Sequence, residues 1–242
     1  MLIAVLSILQ GTIFSVLDGA FNFPSVALSL LIMTVGAFCA ALIIDFTNKR
    51  YQKVIKAGFD NEKFSFSLVH KHYGEFITGA IFGPLAVNLT YFLQTGRMSS
   101  ILFLLSASGG LIISAMAIIA GTVNYRRDKA SGYRTLPSIL DFATYRIIFQ
   151  VCILAPYLLI IAAILMNSGF FPVLLTFLSI TYALRIARGL NHEKGPLAEF
   201  AGRVFGSGYI VYTLKYYIIF TFLLYGGLIL TVIYKVFMEP HG

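Results

Sequence analysis

The sequence predicts an all-α fold, a polytopic membrane bundle of about seven transmembrane helices, and three observations carry that prediction. The chain is 58% hydrophobic and only 12% charged, with a mean hydropathy of +0.85, which places it in the membrane class before any motif is read. Seven apolar runs, at about 2–20, 24–45, 75–95, 100–122, 145–166, 169–186 and 210–235, approach the roughly 20 residues that cross a bilayer as a helix. The basic residues, finally, sort onto alternate loops. Segment 46–74 holds Lys49, Arg50, Lys53, Lys56, Lys63 and Lys71. Segment 123–146 holds Arg126, Arg127, Lys129, Arg134 and Arg146, and 185–209 holds Arg185, Arg188, Lys194 and Arg203. The opposite loops carry only Arg97 and Lys235. By the positive-inside rule the N-terminus and the three basic loops are cytoplasmic and the C-terminus is extracytoplasmic, in a cell (inner) membrane. The net charge of +8 is then a consequence of topology, and no nucleic-acid partner is needed.

Taken in order, the first hairpin turns at Asp18-Gly19-Ala20-Phe21-Asn22-Phe23-Pro24, where Gly, Asn and Pro break the helix. Its first run has no basic n-region and no small-residue cleavage site, so it reads as a retained helix. The second run ends at Asp45, a carboxylate that at such a depth must be paired, hydrated or bound to a cation. In the loop 46–74, Tyr51, Val54 and Ile55 interleave with Lys53 and Lys56 at helical spacing, as in a segment lying on an anionic lipid surface. Gly74-Glu75 opens the third run. Its Gly83-Pro84 pair predicts a kink or a close backbone approach, and Asn88 must face the interior. In the fourth run Ser106, Ser108, Gly109, Gly110, Ser114 and Gly121 are the small residues of a tight helix interface. The fifth follows Asp141 and contains Pro156. Cys39 and Cys152 both sit in apolar runs and form no metal or disulfide pattern. No linker divides the chain, so 1–242 reads as one transmembrane domain.

The stretch from Asn124 to Leu136 is the densest charged patch beside a membrane-length run. Asn124 and Asp128 fall four apart on one helical face, with Arg127, Lys129 and Arg134 near them. Two readings stay open: a solvated loop whose cations only orient the protein, or a mouth that holds an anion. Eight of the ten carboxylates fall on the basic-loop side. Two carboxylate-bearing helix ends that faced each other would suit Mg²⁺ bridging a diphosphate, with Arg and Lys clamping its oxygens. An apolar interior beneath would take a hydrocarbon tail, a set of parts suited to alkyl transfer from a lipid diphosphate.

The stretches Gly74-Glu75…Phe82-Gly83-Pro84…Tyr91…Gln94-Thr95-Gly96 and Asn124…Arg127-Asp128-Lys129-Ala130-Ser131-Gly132-Tyr133-Arg134-Thr135-Leu136 together resemble the UbiA superfamily of intramembrane prenyltransferases. The nearest likeness is to the branch that prenylates dihydroxynaphthoate, and Tyr182–Arg188 with Ala201-Gly202 is similar to it too. The resemblance implies a central lipid-open cavity with two Asp-rich motifs at its mouth, Mg²⁺ as cofactor, and a polyprenyl diphosphate and an aromatic quinone precursor as substrates. It puts Asp45, Asp60 and Asp128 on the metal, with Asp45, Asp128 and Asn124 as the catalytic set. Lys49, Arg127 and Arg134 fall to the diphosphate, and Asn88 and Tyr91 to the cavity wall. Departures are plain: Asn124 and Asn48 stand where the motifs carry Asp, and Ala41 replaces a leading Asn. Residues 46–74 are also too few and too polar for the extra hairpin of a nine-helix member. A second reading therefore stands beside the enzyme. In it the chain is a non-catalytic membrane subunit that binds quinone or lipid and meets a partner subunit where the hairpin is missing.

Overall fold

The computed structural model describes residues 2–17, 74–130, 135–193, 196–204 and 208–238, and among them every regular element is a helix. The elements are α1 (Leu2–Leu17), α2 (Gly74–Thr95), α3 (Ser100–Val123), α4 (Tyr125–Ala130), α5 (Leu136–Ile139), α6 (Phe142–Met166), α7 (Ser168–His192), α8 (Leu197–Val204) and α9 (Tyr209–Met238). Five of these, α2, α3, α6, α7 and α9, are long and apolar enough to cross a membrane. They occupy the last five of the seven expected runs. The run at 24–45 and the loop 46–73 lie outside the described residues, as do Asp45, Lys49, Asp60 and Arg134. The outward faces carry Leu85, Leu158, Leu165, Leu178 and Phe222 fully exposed to the surroundings, a dressing that hydrocarbon tolerates and water does not. This is an all-α polytopic membrane bundle.

Helix ends are set by local chemistry. Ser99 caps α3 by accepting from the Leu102 N–H at 3.3 Å. Asp141 caps α6 by accepting from the Ala143 and Thr144 N–H groups at 3.1 and 3.2 Å. Hydrogen bonds from the Thr144 side chain and backbone hold the Asp141 carboxyl below the ordinary carboxylate range. The α2 helix stops at Gly96, whose φ of +68° is the left-handed conformation glycine permits, with its N–H on the Phe92 carbonyl. Inside the spans, Thr and Ser hydroxyls donate to carbonyls one turn back, as Thr90 does to Ala86, Ser114 to Gly110 and Thr122 to Ile118. No polar group at those positions is left to hydrocarbon.

The most buried span is α3, with 56% of its membrane window buried against 39–44% for the others, so the bundle is built around it. Its partner α2 widens into a π-helical turn over Ile81–Leu85, where Pro84 has no N–H to give. At this level the two backbones touch. A Cβ on Gly83 would lie 2.8 Å from the Gly110 nitrogen and from the Ser106 carbonyl, and one on Gly79 would run into the Gly110 carbonyl and the Ser114 hydroxyl. The Gly-Pro pair of the sequence is thus a site of close approach. Asn88 follows one turn later and faces the interior as expected, donating to the Pro84 carbonyl (2.7 Å) and to Ser106 Oγ (3.1 Å).

The remaining helices wrap this pair. Along the second half of α2, α1 packs through Gly11 and a polar set in which Ser15 donates to Gln94 and Gln94 to Thr12. Two features go beyond the sequence reading. The first twelve residues of α7, Ser168–Ser179, are 3₁₀-helical rather than α, an unusually long run for that geometry. They lie tightly on α9, where a Cβ on Gly227 would stand 2.7 Å from Val173 Cα. Pro156 is carried within an unbroken α6 and is buried.

Candidate active site

The end of α3 delivers the charged stretch. Asn124 leaves helical geometry (φ −87°, ψ 2°), yet its carbonyl still accepts the Asp128 N–H at 2.8 Å, so α4 continues one turn on. Asn124 and Asp128 consequently stay one above the other. Asn124 is exposed and its amide Nδ2 donates back to the Ala120 carbonyl at 3.3 Å. That contact anchors the donor end of the amide and leaves the carbonyl oxygen as the end able to meet a cation. Asp128 is half-buried, and its Oδ2 accepts from Thr135 Oγ1 at 3.3 Å.

The second helix tip comes from Glu75, in the first turn of α2. It is only 7% exposed, and its Oε1 accepts the Leu136 N–H at 3.0 Å. Its charge also lies near enough to Asp128 for the two to repel. Room for this contact is made on α3 by Gly121, where a Cβ would come 3.4 Å from the Pro137 ring and 3.5 Å from Glu75 Oε1. The N-terminal end of a helix favours a carboxylate through its free N–H groups and dipole. Glu75 thus pins the segment that carries Thr135 and Leu136 over the tips of α2 and α3.

Glu75, which holds the segment bearing Thr135 and Leu136, is the contact that sequence reasoning missed. Its signal was present: a carboxylate opening an apolar run has to be partnered. Its partner, a backbone N–H beyond the charged loop, leaves no mark in a pattern. Replacing Glu75 by Ala is expected to free that N–H at a cost of about 1.5–3 kcal/mol, the usual range for a hydrogen bond to a charged group. Leu136 amide exchange, followed by mass spectrometry, should then quicken roughly ten-fold or more. Glu75→Gln keeps an acceptor oxygen and should show less of the effect.

The two residues expected on the cavity wall lie further along α2. Asn88 and Tyr91 lie beyond the π turn, thirteen and sixteen residues from Glu75, roughly 20 Å or more by helical rise. Both are buried. Asn88 is bonded to Pro84 and Ser106 as described, and Tyr91 packs edge-on to Phe14 of α1, with ring centroids 5.5 Å apart. They join helices together, well away from Asp128. Arg127 lies on α4 beside Asp128 in sequence.

Between α1, α2, α3 and α9 there is a hollow of about 30 Å³, space for about two waters and too little for a hydrocarbon tail. Around Asp128 the nearby donors are hard oxygens: the Asp128 and Glu75 carboxylates and the Asn124 amide. That chemistry fits a Mg²⁺-class cation. Among the described residues no three His, Cys, Asp or Glu side chains gather as a metal cluster, and two of the three expected ligands, Asp45 and Asp60, lie outside them.

Comparison with family models matches residues 65–201 to the UbiA prenyltransferase family. No curated protein and no solved structure gives a match. The matched stretch runs from just ahead of α2 into α8, so it takes in both helix tips, the segment between Asp128 and Leu136 and the whole of α3 and α6. A match over more than half of the chain, falling on an all-helical membrane bundle with its carboxylates at those tips, makes this chain a member of the UbiA prenyltransferase family.

Proposed function

We propose that the protein transfers a polyprenyl chain from its diphosphate to an aromatic quinone precursor, in the manner of the dihydroxynaphthoate branch. The observation that carries this reading is that Asp128 and Glu75, from helix ends far apart in sequence, bond to adjacent residues of one segment, Thr135 and Leu136. Asp128 would hold Mg²⁺ with Asp45 and Asp60, and Asn124 would add its carbonyl oxygen. Bound there, the cation would offset the charge of the leaving diphosphate. Lys49, Arg127 and Arg134 would grip the diphosphate oxygens as the prenyl C–O bond breaks. A ring carbon of the acceptor takes the prenyl carbon, and the ring proton leaves. The tail lies in apolar surroundings, with the basic loops, including this mouth, on the cytoplasmic side of the inner membrane.

A second reading is favoured by Asn124, Asn48 and Ala41, which stand where the family motifs carry other residues. Two missing carboxylates remove two negative charges from a cation site, and a chain so altered would serve as a non-catalytic subunit holding quinone or lipid beside a partner membrane protein. Titration with a non-hydrolysable prenyl diphosphate separates the two. For the enzyme, binding tightens roughly ten-fold or more when Mg²⁺ is added and falls back on chelation. Binding indifferent to Mg²⁺, together with a stoichiometric co-purifying partner, would select the subunit.

A further inference from the structure

The hollow between α1, α2, α3 and α9 holds an unmet hydrogen-bond donor. Gln10, near the middle of α1, is 4% exposed, and among the described residues its Nε2 has no hydrogen-bond partner. It faces a pocket shared with Gly83, Ser106, Gly109, Thr221 and Tyr225. The polar neighbours are already engaged. Ser106 donates to the Phe103 carbonyl and accepts from Asn88, and Thr221 is bonded to Tyr217. Among the described residues no charged side chain lines the pocket. On α3 the wall is cut back at Gly109, where a Cβ would meet no heavy atom within 4 Å.

An unpaired amide N–H at this depth is costly unless something accepts from it. A buried water needs about three partners, and beside the Gln10 donor the pocket offers the hydroxyls of Ser106, Thr221, Tyr217 and Tyr225, the first two of them already engaged. A diphosphate would find no cation. We infer that this pocket is a second ligand site, separate from the Asp128 mouth, which takes the carbonyl oxygen of a neutral, bilayer-soluble molecule onto Gln10 Nε2. Two sources carry that chemistry, a quinone-type ring ketone and the acyl ester of a lipid. With room for about two waters, the pocket admits the carbonyl end and leaves the rest of the molecule toward the apolar surroundings. The inference does not depend on the prenyl-transfer reading.

The test uses the full chain in detergent micelles, 1,4-naphthoquinone as probe, equilibrium dialysis as readout and a diacylglycerol as competitor. Saturable binding is expected, at least roughly ten-fold weaker in Gln10→Leu, which removes the donor and keeps an apolar side chain of similar length. Gly109→Leu, which fills the pocket from its open side, should abolish binding without disturbing thermal melting. Asp128→Asn should bind the probe as the wild type does, which separates this site from the mouth. Displacement by diacylglycerol identifies the ester carbonyl as an occupant, and its failure identifies the ring ketone. Unchanged affinity in Gln10→Leu and Gly109→Leu, or no saturable binding to the wild type, overturns the inference and leaves a pocket for water alone.

Discussion

Asp128→Asn is expected to lower Mg²⁺-dependent product formation roughly a hundred-fold or more, with thermal melting unchanged. The two halves of that result follow from one substitution. Asn keeps the shape of Asp and an oxygen that can still accept from Thr135 Oγ1, now at 3.3 Å, so the local hydrogen bonding survives. The charge does not. Asp128 stands one turn from Asn124 and within electrostatic reach of the buried Glu75 carboxylate. Removing its charge therefore weakens the proposed cation site, which Asn124 already leaves one unit short. Assay of radiolabelled prenyl transfer beside a melting curve reads both. Turnover equal to wild type would strike Asp128 from the metal set, and a large fall in melting temperature would show its role to be structural.

How much of this was readable from the sequence depends on whether the cause was local. The span Ser100–Val123 agrees with the apolar run at 100–122 almost residue for residue, because length and hydropathy are properties of the segment itself. Asp141 as the start of α6 and Asn124 with Asp128 on one face follow likewise from caps and helical period. What stayed hidden is contact between distant segments. Glu75 was visible as a carboxylate at a run's edge, but its bond to the Leu136 N–H depends on α2, α3 and α5 meeting at Gly121. Gln10 reads as one of four polar residues in a sixteen-residue helix, with Ser7, Thr12 and Ser15, and only its neighbours show that its amide lacks a partner among the described residues. The 3₁₀ geometry of Ser168–Ser179, where Pro172 and Val173 lie close against Gly227 of α9, gave no periodic sign either. Asn88 illustrates the limit on function. Its inward face was predictable, whereas its engagement with Ser106 was not.

The largest effect on folding is expected at Gly110, and its neighbour supplies the control. A Cβ on Gly110 would sit 2.7 Å from the Gly79 carbonyl and 3.0 Å from Pro84 Cδ. Neither can turn aside, because one is backbone and the other a ring fixed inside the π turn of α2. Within a membrane, lipid is as apolar as the side chains it replaces, so helices are held together largely by packing. Forcing α2 off α3 forfeits that packing along the most buried helix of the bundle and should strand Asn88 from Ser106 as well. Gly110→Leu should accordingly cost about 3 kcal/mol or more, at or beyond the upper end of overpacking. At Gly109 a Cβ meets nothing within 4 Å, so Gly109→Ala should be neutral or gain up to about 1 kcal/mol from helix propensity. Parallel thermal melting of the two variants in detergent decides it. Equal melting would mean that the α2 and α3 backbones do not touch, and with that contact would go the alignment that brings Glu75 to Leu136 and Asp128.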